Sequence, residues 1–458
     1  MKSLFLLLLV LPAQLLAQTS IMLRHINIVD IQTGAVHKNQ VVLIKSGKIN
    51  FIGRDSNKQT DVSGEIVDGT NKFLIPGLWD MHTHYPKNVS ASRVYKTTMM
   101  LANGITGGRI MWGSKANIQL RDSVNKGFIT APREIVATPL VNGPGNFFVN
   151  DIAISHAGRI PIMVDSLQKM GYDFIKVYSA LRSDLFFELA KYCKQKNIPI
   201  AGHVPLGVTA EQASAAGLQS LEHMSGLRKS FSGKGEELSR KFEKELADTI
   251  GFKAYVDILF KSDALMPLDS SSAKMIVKSL KANHTAITPT IVAFRGWESS
   301  RDSLMMMPSM VYVSKTQQQD WYNFRETFAK EKGFMQSALQ LLSFLHKQGI
   351  MVLAGTDNEN PFVVDGFSLH EELSYFVQAG MTTLEALQTA TLNPAIFLHK
   401  ENDLGTVAKG KFADLVLLDK NPLVDIRNTR AISAVIMNGR LITKTQIEQS
   451  LKALENRR

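Results

Sequence analysis

The chain has 458 residues, 45% of them hydrophobic, with a single cysteine and a formal net charge of +11. That length and apolar content allow a large core and two structural units, and one cysteine excludes an internal disulfide framework. The positive charge is scattered, and its densest stretch, Arg228 to Lys244, interleaves Glu236, Glu237 and Glu243. This reads as a solvated helix face, so nucleic acid is not an expected partner, while a basic balance can attract anionic small molecules.

In chain order, the first seventeen residues stand apart. Lys2 gives a minimal positive start, Leu4 to Leu16 is apolar, and Leu15-Leu-Ala17 precedes Gln18, the layout of a secretory signal peptide cut after Ala17. The apolar run falls short of the roughly 20 residues that span a bilayer, and no cysteine follows for a lipid anchor. The expectation is an exported protein, periplasmic or secreted, without stable membrane insertion.

Residues 18–73 read as short strands with turn punctuation, such as Val41-Val-Leu-Ile44, Ser46-Gly47 and Lys48-Ile-Asn-Phe-Ile52. Residues 399–446 repeat the style in Ala413-Asp-Leu-Val-Leu-Leu418 and Ala434-Val-Ile-Met437, with Asn438-Gly439 as a hairpin signal before Arg440-Leu-Ile442. Together they predict one small β-sandwich-like domain built from both termini, with residues 447–458 as a tail.

Residues 74–398 alternate apolar strands with helical stretches, the pattern of a parallel α/β fold. Candidate strands end near His84, Met111, Ala137, Tyr178, His203, His223, Val292 and Asp357. Eight strands close a (β/α)8 TIM-type barrel. Helical sequence in Ala273–Ala282 and Gln317–Gln348 predicts extra helices over the barrel's C-terminal mouth. Cys193 belongs to an amphipathic helix and reads as structural. Met305-Met-Met307 before Pro308 reads as packing.

Six side chains with metal chemistry fall at these strand ends. His82 and His84 lie two apart where an apolar strand finishes, so both rings leave one face. Lys176 sits in Tyr172-Asp-Phe-Ile-Lys-Val-Tyr178, a segment fit for burial, where a lysine tends towards its neutral form. His203 closes Ile198-Pro-Ile-Ala-Gly-His203, His223 closes Ser220-Leu-Glu-His223, and Asp357 ends Ile350-Met-Val-Leu-Ala-Gly-Thr-Asp357. Each alone has an ordinary reading as a core or surface group. On strands one, four, five, six and eight of a barrel they converge on the face where active sites form.

The stretches Ile75-Pro-Gly-Leu-Trp-Asp-Met-His-Thr-His84, Gly104-Ile-Thr106 with Arg109, and Gly202-His-Val-Pro205 closely resemble the amidohydrolase superfamily. So do Gly355-Thr-Asp357, His370-Glu-Glu-Leu373, Ala390-Thr-Leu-Asn-Pro-Ala395 and Gly405-Thr-Val-Ala-Lys-Gly-Lys-Phe-Ala-Asp-Leu-Val416. The resemblance is to the imidazolonepropionase-like and prolidase-like metal-dependent branch, and it spans nearly all of the chain after the leader. It implies two divalent metal ions, zinc by default, with manganese, cobalt or iron also compatible. His82, His84 and Asp357 would hold the deeper ion, His203 and His223 the second, and Lys176, carboxylated by carbon dioxide, would bridge them. Asp357 would also act as general base towards a metal-bridging hydroxide attacking a carbonyl.

Two departures bear on substrate. Ile110 follows Arg109 where relatives often carry an acidic residue, and Met224-Ser-Gly226 follows His223 with no aromatic residue nearby to hold a substrate carboxylate. Both weigh against a simple Xaa-Pro dipeptidase. Arg109, Tyr178 and His370 are the substrate-side candidates, with a structural hydrogen-bonding role equally open for Arg109 and His370. The expected activity is hydrolysis of an amide C–N bond in a dipeptide, N-acyl amino acid or cyclic amide. Lactonase-like or phosphotriesterase-like hydrolysis at the same site is the alternative, and a non-catalytic metal-binding barrel protein a third reading. A small molecule is the expected partner, and a homo-oligomer is left open.

Overall fold

The computed structural model describes residues 20–56, 64–85, 90–145, 148, 150–249, 251–262, 269–328 and 333–455. Residues 1–17, read above as a leader, lie outside them. Strands from both ends of the described chain meet in one eight-stranded sheet. At its centre, Phe73–Pro76 runs parallel to Ser20–Val29 and antiparallel to Leu415–Leu418, with Ile75 opposite Val416. Alternation along these strands turns Ile21, Leu23, Leu74, Leu415 and Leu417 onto one face, where they pack together. His25, at φ 55°, shifts the register after Leu23 and keeps Ile26 and Ile28 on that face as well. The sheet curls onto this apolar face, and Ile49 N donates to Lys411 O at 2.9 Å to tie its far strand back.

The middle of the chain carries parallel strands separated by helices. Leu78–Thr83, Ile105–Ile110 and Arg133–Val136 form one sheet. Ile175–Val177, Ile200–Gly202, Leu218–Glu222 and Ala286–Thr288 form the run of a second, extended by the short pairs Val141–Asn142 and Ile152–Ala153. Single bridges join these sheets, Ala137 to Phe174 and Ile287 to Val352, and Met81 N donates to Ala354 O at 2.8 Å. The strands read as apolar throughout because both faces are covered: Ile110, Val136, Val177, Ile200 and Leu221 share one core with the surrounding helices.

Several expectations are corrected here. Val292 does not end a strand: the strand stops at Thr288, and Thr290, at φ 51°, turns the chain into helix Ile291–Glu298. Residues 350–357 join strand Ala286–Thr288 through one bridge, Ile287 to Val352, and strand Leu78–Thr83 through hydrogen bonds such as Asp357 N to His82 O at 2.8 Å rather than a regular ladder, and Asp357 at φ 54° ends the extended run. The stretch 317–348 is two helices, Lys315–Phe328 and Phe334–Lys347, the second starting behind Gly333 at φ 96°. Arg228 and Lys229 are buried, with Lys229 Nζ donating to Leu206 O at 2.5 Å, so the solvated face begins only with helix Gly235–Ala247. Residues read as a tail belong to helix Lys444–Glu455, which buries Ile447 and Leu454. Cys193 is buried in helix Ser183–Gln195, and Met305 and Met307 pack around Met310 and Phe362. Among the described residues no helix is long and apolar enough to cross a membrane.

Candidate metal centre

The strand ends deliver His82, His84, Lys176, His203, His223 and Asp357 to the lining of one cavity of about 540 Å³. Donor atoms of His82, His84 and Asp357 lie within 4.8 Å of one another. The Asp357 carboxylate is the hub: Oδ1 is 2.9 Å from His84 Nε2 and 3.3 Å from His82 Nε2, and Oδ2 is 3.5 Å from His223 Nδ1. Asn360 Nδ2 donates to Asp357 Oδ2 at 2.6 Å. The imidazole rings form a chain, with centroids 5.3 Å apart for His82–His84, 4.5 Å for His82–His223 and 4.9 Å for His203–His223.

Local backbone holds this geometry at some cost. His223, Met224, Thr290, Asp357 and Glu359 all have positive φ, a conformation that strains side-chain-bearing residues and gathers at functional sites. Gly202 precedes His203 at φ 144°, and a Cβ there would sit 2.1 Å from Val177 O. Gly355 lets the chain pass so close to His82 that a Cβ would lie 2.8 Å from the His82 nitrogen.

Behind the cavity lies a buried polar layer. Glu222 Oε2 is 2.7 Å from His82 Nδ1, and Glu222 Oε1 accepts from Arg109 at 2.7 Å. Asp80 accepts from the backbone N–H of His82 at 3.1 Å and of Thr356 at 3.0 Å. Asn358 accepts from His84 N at 2.7 Å. Ser179 Oγ lies 2.7 Å from His203 Nδ1, and Thr290 Oγ1 2.8 Å from His223 Nδ1. The rings of His82, His203 and His223 are thereby each fixed through Nδ1, the arrangement that orients metal-ligating histidines.

Burial sets the charge states. It lowers His84, drives His203 well below its usual value, and brings His223 down to about 3, so these rings are neutral and their lone pairs available near pH 7. Burial opposes ionisation of Asp357, yet His223 and His82 beside it hold its carboxyl well below the usual range. Lys176 is lowered by burial to about 8, against the pull of Glu222 and Asp357, so about a tenth of it is neutral at pH 7. His84 Nε2, facing Asp357 Oδ1 beside His82 Nε2, is the nitrogen that a cation shared by these three residues would use. Neutral imidazoles and an anionic carboxylate make a donor set that fits divalent cations.

The substrate-side candidates separate. Tyr178 lines the cavity and lies against His203, with ring centroids 4.1 Å apart. Arg109 lies beneath the site, bonded to Met81 O, Ser220, Glu222 and Thr288. His370 is also buried away from the lining, between Thr429 Oγ1 and Asn103 O. Both placements favour the structural reading of these two residues. Glu222, Asn358 and Asn360 are not singled out by the sequence; Glu222 directly precedes His223, where strand alternation predicts opposite faces, and the positive φ of His223 breaks that alternation.

A family model described as "Amidohydrolase family" matches residues 73–442, most of the chain. The chain belongs to this family. Its amidohydrolase relatives include a 5-methylthioadenosine/S-adenosylhomocysteine deaminase of Caldanaerobacter subterraneus subsp. tengcongensis, 21% identical over 92% of this chain and 93% of that protein. An imidazolonepropionase of Idiomarina loihiensis is 23% identical over 83% of this chain and 86% of the relative. A crystal structure of a putative prolidase from Bifidobacterium longum superposes with a TM-score of 0.70 at 21% identity, covering 95% of this amidohydrolase and 99% of that chain. Membership makes the protein an enzyme of a hydrolytic, metal-dependent family.

Proposed function

We propose that this amidohydrolase is an exported enzyme that binds two divalent cations, zinc by default, and hydrolyses an amide C–N bond. A dipeptide, N-acyl amino acid or cyclic amide is the substrate class considered first. The observation that carries the reading is the convergence of His82, His84, Lys176, His203, His223 and Asp357 on one cavity. In the same reading the two parallel sheets, with residues 350–357 between them, are the staves of one eight-stranded barrel, and residues 1–17 are the leader.

When bound, the cations would lower the pKa of a coordinated water and polarise the scissile carbonyl. His82, His84 and Asp357 would hold the deeper ion, and His203 and His223 the other. Neutral Lys176 can add to carbon dioxide, forming an N–C bond and releasing one proton, which turns an amine into an anionic oxygen donor. Asp357, anionic and steadied by Asn360, is placed to accept a proton from the attacking water and return it to the departing nitrogen. Glu222 fixes the tautomer of His82, and Tyr178 flanks the ring of His203.

The test is metal analysis after reconstitution with zinc and bicarbonate, joined to turnover of matched amide and lactone libraries. Close to two ions per chain and amide turnover are expected, with Asp357→Asn abolishing turnover while retaining much of the metal. No bound cation would sink the binuclear reading, and activity confined to lactones would sink the amidase.

A further inference from the structure

The cavity is larger and more aromatic than water activation requires. One wall is built on Phe148, which meets Trp112, Tyr178 and Phe252 edge-to-face at centroid distances of 5.7, 5.1 and 5.4 Å. A second cluster on the same lining is built on Trp297, which contacts Phe260 at 5.8 Å and Phe324 at 5.7 Å. Such interlocked rings form a preshaped slot for a flat or bulky apolar group. A second hollow of about 580 Å³ adjoins the first, and Gln317, Trp321, Asn358 and Glu359 line both. Tyr95 and Tyr312 add aromatic surface to the second hollow.

Carboxylates outnumber lysines and arginines among the described residues lining these hollows. Apart from Lys176, no lysine or arginine is among the described residues lining either hollow, whereas Asp320, Glu359 and Asp365 are. Asp365 is already engaged by Asn358 Nδ2 at 2.6 Å and by Lys96 Nζ at 3.5 Å. Glu359 and Asp320 are exposed and make no ion pair among the described residues. In the second hollow a substrate carboxylate would face Glu359 and Asp365 with no lysine or arginine among the described lining residues, while an ammonium would meet Glu359, with Asp320 on the adjoining lining, and the aromatic side chains of Trp321, Tyr95 and Tyr312.

We propose, building on the amide-hydrolase reading above, that the substrate is an aromatic or bulky apolar amide that carries a cationic nitrogen and no free carboxylate. Its apolar group lies against the ring clusters of Phe148 and Trp297, and its cationic nitrogen lies in the second hollow near Glu359 and Trp321. Free dipeptides and N-acyl amino acids are thereby disfavoured within the broader amide class.

Three of the four tryptophans, Trp112, Trp297 and Trp321, line the hollows, so quenching of their fluorescence reports binding without turnover. The probes are three phenylacetanilides that differ in one para substituent: aminomethyl, methyl or carboxyl. We expect the aminomethyl compound to bind about tenfold more tightly than the methyl compound at low salt, with the carboxyl compound weakest. Glu359→Gln combined with Asp320→Asn removes the ranking by charge and leaves affinity for the methyl compound within about twofold, a change too small to reflect lost packing. Tightest binding of the carboxyl compound overturns the proposal, and so does a ranking unchanged in the double variant. Retention of the ranking without turnover of any of the three by the zinc-loaded enzyme overturns the amidase reading and leaves the charge preference standing.

Discussion

Arg109 is the residue on which the two readings of this site differ most sharply, and its replacement by leucine separates them. The guanidinium is 1% exposed and bonds to Met81 O at 2.7 Å, Ser220 Oγ at 2.8 Å, Glu222 Oε1 at 2.7 Å and Thr288 Oγ1 at 3.1 Å. Arg109→Leu leaves the fully buried Glu222 carboxylate without its cationic partner, a loss of about 3–5 kcal/mol for pairs of this kind. The acceptors stranded on Met81, Ser220 and Thr288 add to it at ~1 kcal/mol each, partly offset by the apolar contacts of leucine. The net expectation is a loss of about 4 kcal/mol, close to a thousandfold in the ratio of folded to unfolded protein. Equilibrium urea unfolding of the chelator-treated protein measures this without the contribution of bound metal. Adding Glu222→Gln should recover part of the loss, because no buried charge is then left alone. A loss below about 1 kcal/mol, together with a raised KM, would refute this reasoning and return Arg109 to the substrate.

Other outcomes follow from the same geometry. Gly355→Ala forces a methyl group to within 2.8 Å of the His82 backbone; activity and metal content should fall together, and an unchanged metal stoichiometry would contradict the close approach. His370, buried and lowered to about 3, stays neutral while its unfolded counterpart protonates below about 6.5. The unfolded state therefore binds the extra proton between those values, stability declines as pH falls through that window, and His370→Gln should flatten the decline in thermal melts at pH 4–7. Gly202→Ala places a methyl group against Val177 O in a left-handed backbone; a melting temperature within a degree of wild type would show that the strand can move aside. Dialysis against a chelator should lower the melting temperature of the zinc-loaded protein, and re-addition of zinc should restore it.

How far the sequence carried depends on whether a signal is local. His82 and His84 announced themselves because period-two spacing puts both rings on one face, and Asp357 because a carboxylate that closes an apolar run contributes nothing to packing there. A β-domain built from both termini could be anticipated from strand punctuation, but the boundary drawn at residue 73 left most of its central strand, Phe73–Pro76, to the barrel. Glu222 escaped because its partners, His82 and Arg109, are more than a hundred residues away, and a single sequence does not show pairing. The strand before Val292 was misplaced because Ile291 and Val292 suit strand and helix equally, and the turn at Thr290 decides between them. Arg109 and His370 could not be assigned to the cavity or the layer beneath it, since that depends on which way a buried side chain points.

Strand Phe73–Pro76 has a consequence for how the enzyme comes into being. Gly77 alone separates it from the strand bearing His82, and one of its two flanking partners is Leu415–Leu418. On the ribosome, at ~5–20 residues per second, that flank stays vacant until almost all of the chain has been made. The strand that carries His82 therefore acquires its neighbouring support last, and synthesis halted before residue 415 leaves Phe73–Pro76 with an unpaired edge.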